Sequence, residues 1–265
     1  MKNLIVLAAI FAVLTAQSQD RVFTSTYQSN VLNQGQKELE VWSTLGTGRQ
    51  NFYRGLNHSL EFEIGLGHKL QTAFYLNYGY NKEITPVNGV DVLNANTSYS
   101  FANEWKLKLS DPVADKLGSA VYLEYNLAPD ETELEGKIIL DKQVGRFTHA
   151  FNLSGELVSG KSFVPEGSKL KAVSEHELNL ELNYSLSYKI NEKWFAGIEL
   201  MNENVIAQNT LEKSILTAGP VISYTGEGFW INFSLMPQLT DLKAGRRNTT
   251  DDDGLQARLI FSYAF

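Results

Sequence analysis

The chain has 265 residues, a net charge of −7 and no cysteine, which excludes a disulfide framework, a lipid-modified cysteine and a basic nucleic-acid-binding face. Its mean hydropathy of −0.21 would suit a soluble protein. Strands that alternate lumen-facing polar and lipid-facing apolar residues average to a similar value, so hydropathy does not exclude a membrane barrel.

Met1-Lys2-Asn3 is a short basic start, and Leu4 to Leu14 is an apolar run too short to cross a bilayer as a helix. Ala16-Gln17-Ser18 supplies small residues for cleavage, so residues 1–19 read as a secretory signal peptide, with the mature chain starting near Gln19 or Asp20. No later run reaches the roughly 18 apolar residues of a transmembrane helix. Residues 20–36 are polar and aperiodic, which suits a periplasmic lead-in or a short plug.

From there the period is two, the mark of strands with one apolar face. Leu39, Val41 and Leu45 alternate with Glu38, Glu40 and Thr44. Leu60, Phe62, Ile64 and Leu66 alternate with Glu61 and Glu63, and His68-Lys69 turns the chain into Leu70–Tyr80. Between Leu93 and Leu109 the apolar residues keep odd positions throughout. One long strand is preferred there to two joined at Ala102-Asn103, because single-chain bacterial barrels have even strand numbers. Leu117–Leu127, Leu134–Leu140, Phe147–Leu157, Leu178–Tyr188, Trp194–Leu200, Leu216–Tyr224, Phe229–Leu235 and Leu255–Phe265 bring the total to about twelve.

Connections 48–57, 81–91, 159–174, 202–213 and 237–254 are long, while 68–69, 110–116, 142–146, 189–193 and 225–228 are shorter; only 128–131 breaks the alternation. Long outer loops and short periplasmic turns are the asymmetry of outer-membrane barrels. The expected fold is therefore an all-β, transmembrane, antiparallel up-and-down barrel over residues 37–265. Pro220 is the misfit, since a missing N–H breaks a ladder inside a closed sheet; it marks either a bulge or a strand beginning at Val221.

The last strand carries Leu259, Phe261, Tyr263 and Phe265 on one face. It resembles the assembly signal of Gram-negative outer-membrane barrels, which implies outer-membrane lipid and the barrel-assembly machinery as partners. His58–Tyr78 (HSLEFEIGLGHKLQTAFYLNY), Glu133–Gly145 (ELEGKIILDKQVG) and Ala218–Tyr224 (AGPVISY) are similar to an uncharacterised group of transporter-type outer-membrane barrels related to those of phenol-degradation pathways. That resemblance implies passage of a small solute and supplies no site residues.

The inward face is unusually acidic. Glu38, Glu40, Glu61, Glu63, Glu124, Glu133, Glu135, Glu156, Glu177, Glu181 and Glu199 share lumen parity, against Lys106, Lys108, Lys137 and Arg258. Such carboxylates either line a cation-preferring pore or fill the interior as salt-bridged packing. The functional expectation is a barrel that passes or binds small solutes, with a non-conducting structural or adhesive barrel as the alternative. Neither a catalytic constellation nor a cofactor motif stands out. Asp251-Asp252-Asp253-Gly254, aligned to a calcium-binding loop through its glycine, puts Ile260 at the last ligand position, so a solvated turn is expected there.

Overall fold

A sheet with an apolar outer face can leave no edge in lipid, so it must close on itself. The computed structural model describes residues 21–166 and 169–265 and shows that closure. The expected signal peptide lies outside the described residues. Twelve antiparallel strands follow in order: β1 (Lys37–Thr47), β2 (Tyr53–Gly67), β3 (Leu70–Val87), β4 (Val90–Ser110), β5 (Gly118–Leu127) and β6 (Glu131–Val144), then β7 (Phe147–Glu166), β8 (Lys169–Lys189), β9 (Trp194–Ala207), β10 (Thr210–Thr225), β11 (Phe229–Asp241) and β12 (Leu255–Ala264). Each pairs with its sequence neighbour, and β1 with β12 closes the ring.

The even-stranded, up-and-down barrel expected from the alternation is thus the observed fold. β4 runs unbroken through Ala102-Asn103. Asn103 is satisfied within the wall: its amide donates to Thr72 Oγ1 at 3.1 Å and to the Ala73 carbonyl at 2.8 Å, and it accepts from the Trp105 indole at 2.7 Å.

Connections differ most from expectation. The stretches 81–91 and 202–213 are mostly strand, closed by two-residue turns at Asn88-Gly89 and Gln208-Asn209 with positive φ at both positions, as tight hairpins require. Most of 159–174 is likewise strand. Twenty-one residues, as in β4 and β8, span about 70 Å at 3.3 Å each, well beyond an apolar band of about 25 Å even when tilted. Beyond that band the wall needs no apolar face, so the alternation fades while the backbone ladder continues.

Pro220 lies within β10, and the strand does not begin at Val221. The β10–β11 register shifts at Leu216/Thr217 and resumes at Val221, leaving residues 218–220 out of the pairing with β11. A Cβ at Gly219 would stand 1.7 Å from the Leu235 carbonyl oxygen, so the unpaired stretch beside Pro220 uses a glycine where two backbones meet.

Leu76, Ile138 and Ile198 are among the exposed outer residues. At the end where the barrel begins and finishes, here the terminus end, outward rings touch: Trp194 with Tyr224, Tyr224 with Phe229, Phe229 with Phe261, and Phe265 with both Tyr263 and Phe62. These two groups of touching rings at one end have the form of an interfacial girdle. Residues 21–36 do not lie outside the barrel. They thread its interior at that end, where Val22 and Phe23 pack on Ala150, Val221 and Phe195.

Candidate functional site

The interior is built from the inward positions of all twelve strands and from residues 21–36. Glu199 on β9 accepts four hydrogen bonds from that segment: from the backbone N–H groups of Thr24 (2.9 Å), Ser25 (2.9 Å) and Thr26 (3.3 Å), and from the Thr24 hydroxyl (2.6 Å). An aperiodic segment has no ladder of its own, so its backbone must bond to the wall. Asn152 brackets Tyr27 through both its N–H and carbonyl, Asn232 donates to the Arg21 and Phe23 carbonyls, and Gln71 accepts from the Leu32 N–H. Arg258 donates to the Thr24 carbonyl at 3.3 Å.

The Arg21 guanidinium lies between the rings of Tyr27 (4.3 Å) and Trp42 (4.5 Å) and donates to the Phe23 and Thr24 carbonyls. Lys137 adds a second cation over Tyr27 and Tyr122. Where the segment leaves the lumen, Gly35 donates to the Gly65 carbonyl and Gly65 donates to the Gln36 carbonyl. A Cβ at Gly65 would stand 2.1 Å from the Asn33 carbonyl oxygen, so this close passage requires glycine.

The register places acidic residues directly across from one another. From β1 to β7 one row reads Glu38, Glu63, Ala73, Glu104, Glu124, Glu135 and Glu156. Glu40 faces Glu61 in an adjacent row. Like charges directly opposite destabilise a sheet unless something offsets them. Trp230 and Ser262 donate to Glu38, Trp42 to Glu40, Gln71 to Glu63, Tyr75 to Glu104 and Tyr122 to Glu124. Glu135 pairs with Lys137 at 3.2 Å.

The eleven carboxylates singled out from the sequence divide by depth. Glu38, Glu40, Glu61, Glu63 and Glu199 are buried under residues 21–36, whereas Glu124, Glu133, Glu135, Glu156 and Glu181 are half-buried and Glu177 is exposed near the far rim. Asn126, Asn179 and Asn183 donate to Glu133, Glu156 and Glu181 respectively. The grouping of Glu40, Glu61 and Glu63, with one oxygen from each within 4.8 Å of the others, is the one that could hold a metal among the described residues.

Sequence reasoning passed over further inward carboxylates, among them the buried Asp141 of β6. Glu104 is fully buried in the acidic row, and Glu203 lies 3.9 Å from Lys213. Both obey the same parity as their neighbours, which would have found them. Arg21 carried no such signal, because its segment has no period. The turn at Asp251–Asp253 is not simply solvated: Asp252 pairs with Lys213, and Asp253 with Arg49 at 2.9 Å, both carboxylates being largely covered. Burial raises the Asp253 carboxyl above its usual range, and the Arg49 attraction offsets only part of that shift.

At the last strand, Leu259, Phe261, Tyr263 and Phe265 face outward, and the Phe265 N–H donates to the Lys37 carbonyl at 3.0 Å, tying the chain's last residue to the first strand.

The COG4313 outer membrane channel from Pseudomonas putida F1 has this fold, with a TM-score of 0.59 at 13% identity over 92% of this chain and 100% of that one. The translocator domain of the autotransporter NalP from Neisseria meningitidis gives 0.56 at 13% identity, covering 88% of this chain and 89% of that one. The β domain of the Bordetella autotransporter BrkA gives 0.54 at 10% identity, covering 88% and 100%. A comparison with curated proteins gives no match. A closed barrel with an apolar outer wall, a ring-to-ring aromatic belt and a polar interior is an outer-membrane-type β-barrel. Within that class the chain belongs to the family of unknown function DUF6662, whose model matches residues 15–265.

Proposed function

We propose that the protein resides in the outer membrane, terminus end toward the periplasm, and binds or passes small solutes through a cation-preferring vestibule closed below by residues 21–36. A signal peptide at 1–19 exports it, and the Leu259-Phe261-Tyr263-Phe265 strand is read by the barrel-assembly machinery. Outer-membrane yield of a chain lacking Phe265 tests the latter, and an unchanged yield contradicts it.

One observation carries the functional reading: the acidic wall is divided. Below, Glu38, Glu40, Glu61, Glu63 and Glu199 are sealed under the lead-in. Above, Glu133, Glu135, Glu156, Glu177, Glu181 and Glu203 remain open to solvent to differing degrees, with Lys137 and Lys213 as nearby bases. Carboxylates on a narrow wall concentrate cations over about a Debye length, roughly 8 Å at physiological salt. The lead-in then acts as the gate, and Glu199 as its latch.

Reversal potentials across a salt gradient test the preference, comparing the mature chain with one starting at Lys37. Small conductance is expected from the first, and larger, cation-preferring conductance from the second. An anion preference contradicts the acidic vestibule. No conductance from either chain favours a second reading, a structural or adhesive barrel acting outside the cell. The twenty- and twenty-one-residue strands β7 and β8, which rise far past the apolar band as one hairpin, speak for that reading.

A further inference from the structure

A second feature of the interior stands apart from whether the barrel conducts. Glu61 is 1% exposed, and neither of its carboxylate oxygens receives a hydrogen bond from any group other than the facing carboxyls of Glu40 and Glu63. Leaving a buried carboxylate without any other donor is among the costliest arrangements a fold can hold. Its neighbours make matters worse. Glu40 lies directly across the β1–β2 ladder and Glu63 two residues along β2, both buried, with oxygens of all three carboxylates within 4.8 Å of one another.

The surrounding donors are committed elsewhere. The Trp42 indole serves Glu40 at 2.7 Å and the Gln71 amide serves Glu63 at 2.8 Å, so each of those carboxylates has one oriented partner outside the cluster while Glu61 has none. Arg21 reaches Glu40 only at 3.9 Å, its Nε and Nη2 being spent on the Phe23 and Thr24 carbonyls. Lys106 and Lys137 are buried nearby, so Arg21, Lys106 and Lys137 stand against Glu38, Glu40, Glu61, Glu63 and Glu104. Oxygen-only donors of this charge select hard cations. Ca²⁺ accepts several carboxylates in flexible geometry, whereas Mg²⁺ demands near-octahedral geometry and keeps several waters, so a buried set of three carboxylates suits Ca²⁺.

We propose that Glu40, Glu61 and Glu63 form a divalent-cation site, Ca²⁺ by ligand type, between the β1–β2 hairpin and the lumenal segment. The Glu61 carboxylate is its central ligand. Trp42 and Gln71 orient the outer two ligands from behind, as the second shell of a metal site does.

The test uses the whole mature chain, folded in detergent and stripped with chelator, with Ca²⁺ and its luminescent stand-in Tb³⁺ as probes. One saturable Tb³⁺ per chain is expected, with emission sensitised through Trp42 and competed away by Ca²⁺. Trp42→Phe should lower the sensitised emission while calorimetry still detects Ca²⁺ binding. Glu61→Gln should weaken Ca²⁺ affinity by more than about tenfold, since loss of even an outer-sphere partner costs about 10–100-fold. Asp130→Asn, in the exposed β5–β6 turn at the far end, should leave it unchanged. Gel mobility without boiling reports whether each variant has folded, and Glu63→Gln replaces Glu61→Gln if the latter has not. Wild-type protein that binds no Ca²⁺ or Tb³⁺ at millimolar concentration overturns the proposal, and the three carboxyls then share protons instead. Undiminished binding in folded Glu61→Gln or Glu63→Gln overturns it equally.

Discussion

Glu199 and Thr24 are separated by 175 residues of chain, yet Thr24 gives both its backbone N–H and its hydroxyl to the Glu199 carboxylate, one to each oxygen, at 2.9 and 2.6 Å. The neighbouring N–H groups of Ser25 and Thr26 turn toward the same carboxylate. Removing it by Glu199→Ala leaves buried donors without an acceptor, at about 1–3 kcal/mol each. Detachment of this stretch into water is then less costly than its burial. Amide exchange at residues 24–26 should accelerate in that variant while strand amides stay protected, and unchanged protection there would show that Glu199 does not hold the segment.

Gly65 is a second point of control. Gly65→Ala drives a methyl group into the Asn33 carbonyl, an overpacking that costs about 1–3 kcal/mol unless the segment moves. Gly136→Ala makes the fitting comparison, because a Cβ there meets nothing within 4 Å. The first variant should loosen residues 33–36 in exchange measurements and the second should not. Equal behaviour would mean that the lead-in leaves room for a methyl group at Gly65.

Adjacent residues on β8 separate lipid from lumen. Leu180 faces outward over Gly155, while Glu181 accepts from Asn183 inside. Leu180→Arg should lower refolding stability in lipid vesicles by about 2–4 kcal/mol near the midplane. Glu181→Gln keeps an acceptor for Asn183 and should cost far less. A reversed order would mean the inside–outside assignment of β8 is wrong by one residue.

The barrel itself was legible because lipid imposes a period of two: Leu259, Phe261 and Tyr263 could not sit as they do unless alternate residues faced a lumen. The same constraint explains what was not legible. Asn81 to Glu83, expected in a loop, lie in β3 without apolar alternation, because above the membrane no lipid enforces it. Residues 21–34 follow no period because their backbone bonds largely to wall side chains such as Asn152, Asn232 and Glu199. Parity could place Glu40, Glu61 and Glu63 inside the barrel; only the β1–β2 register brings them together, and it leaves Glu61 without a donor outside that group.

The turn after β4 gives an acid-sensitive point outside the membrane. Lys108 chiefly, and then the N–H groups of Ala114 and Val113, hold the Asp111 carboxyl well below the usual carboxylate range. A depressed carboxylate contributes stability that is present above its unfolded value, about 3.9, and lost as pH falls through its lower folded value. Exchange protection of Val113 and Ala114 should therefore persist through mild acid and fall only below that range. In Asp111→Asn it should be weaker at neutral pH and nearly independent of acid. Equal acid sensitivity in both proteins would place the titrating group elsewhere.

Single-channel conductance of the full mature chain in planar bilayers, compared with Glu199→Ala, bears most directly on a gated lumen. Wild-type protein should stay mostly closed, with rare openings. The variant, folded by gel mobility, should open often, and its openings should pass cations over anions. Equal conductance in both proteins, whether open or silent, would contradict a lumen closed by residues 21–36 and latched at Glu199.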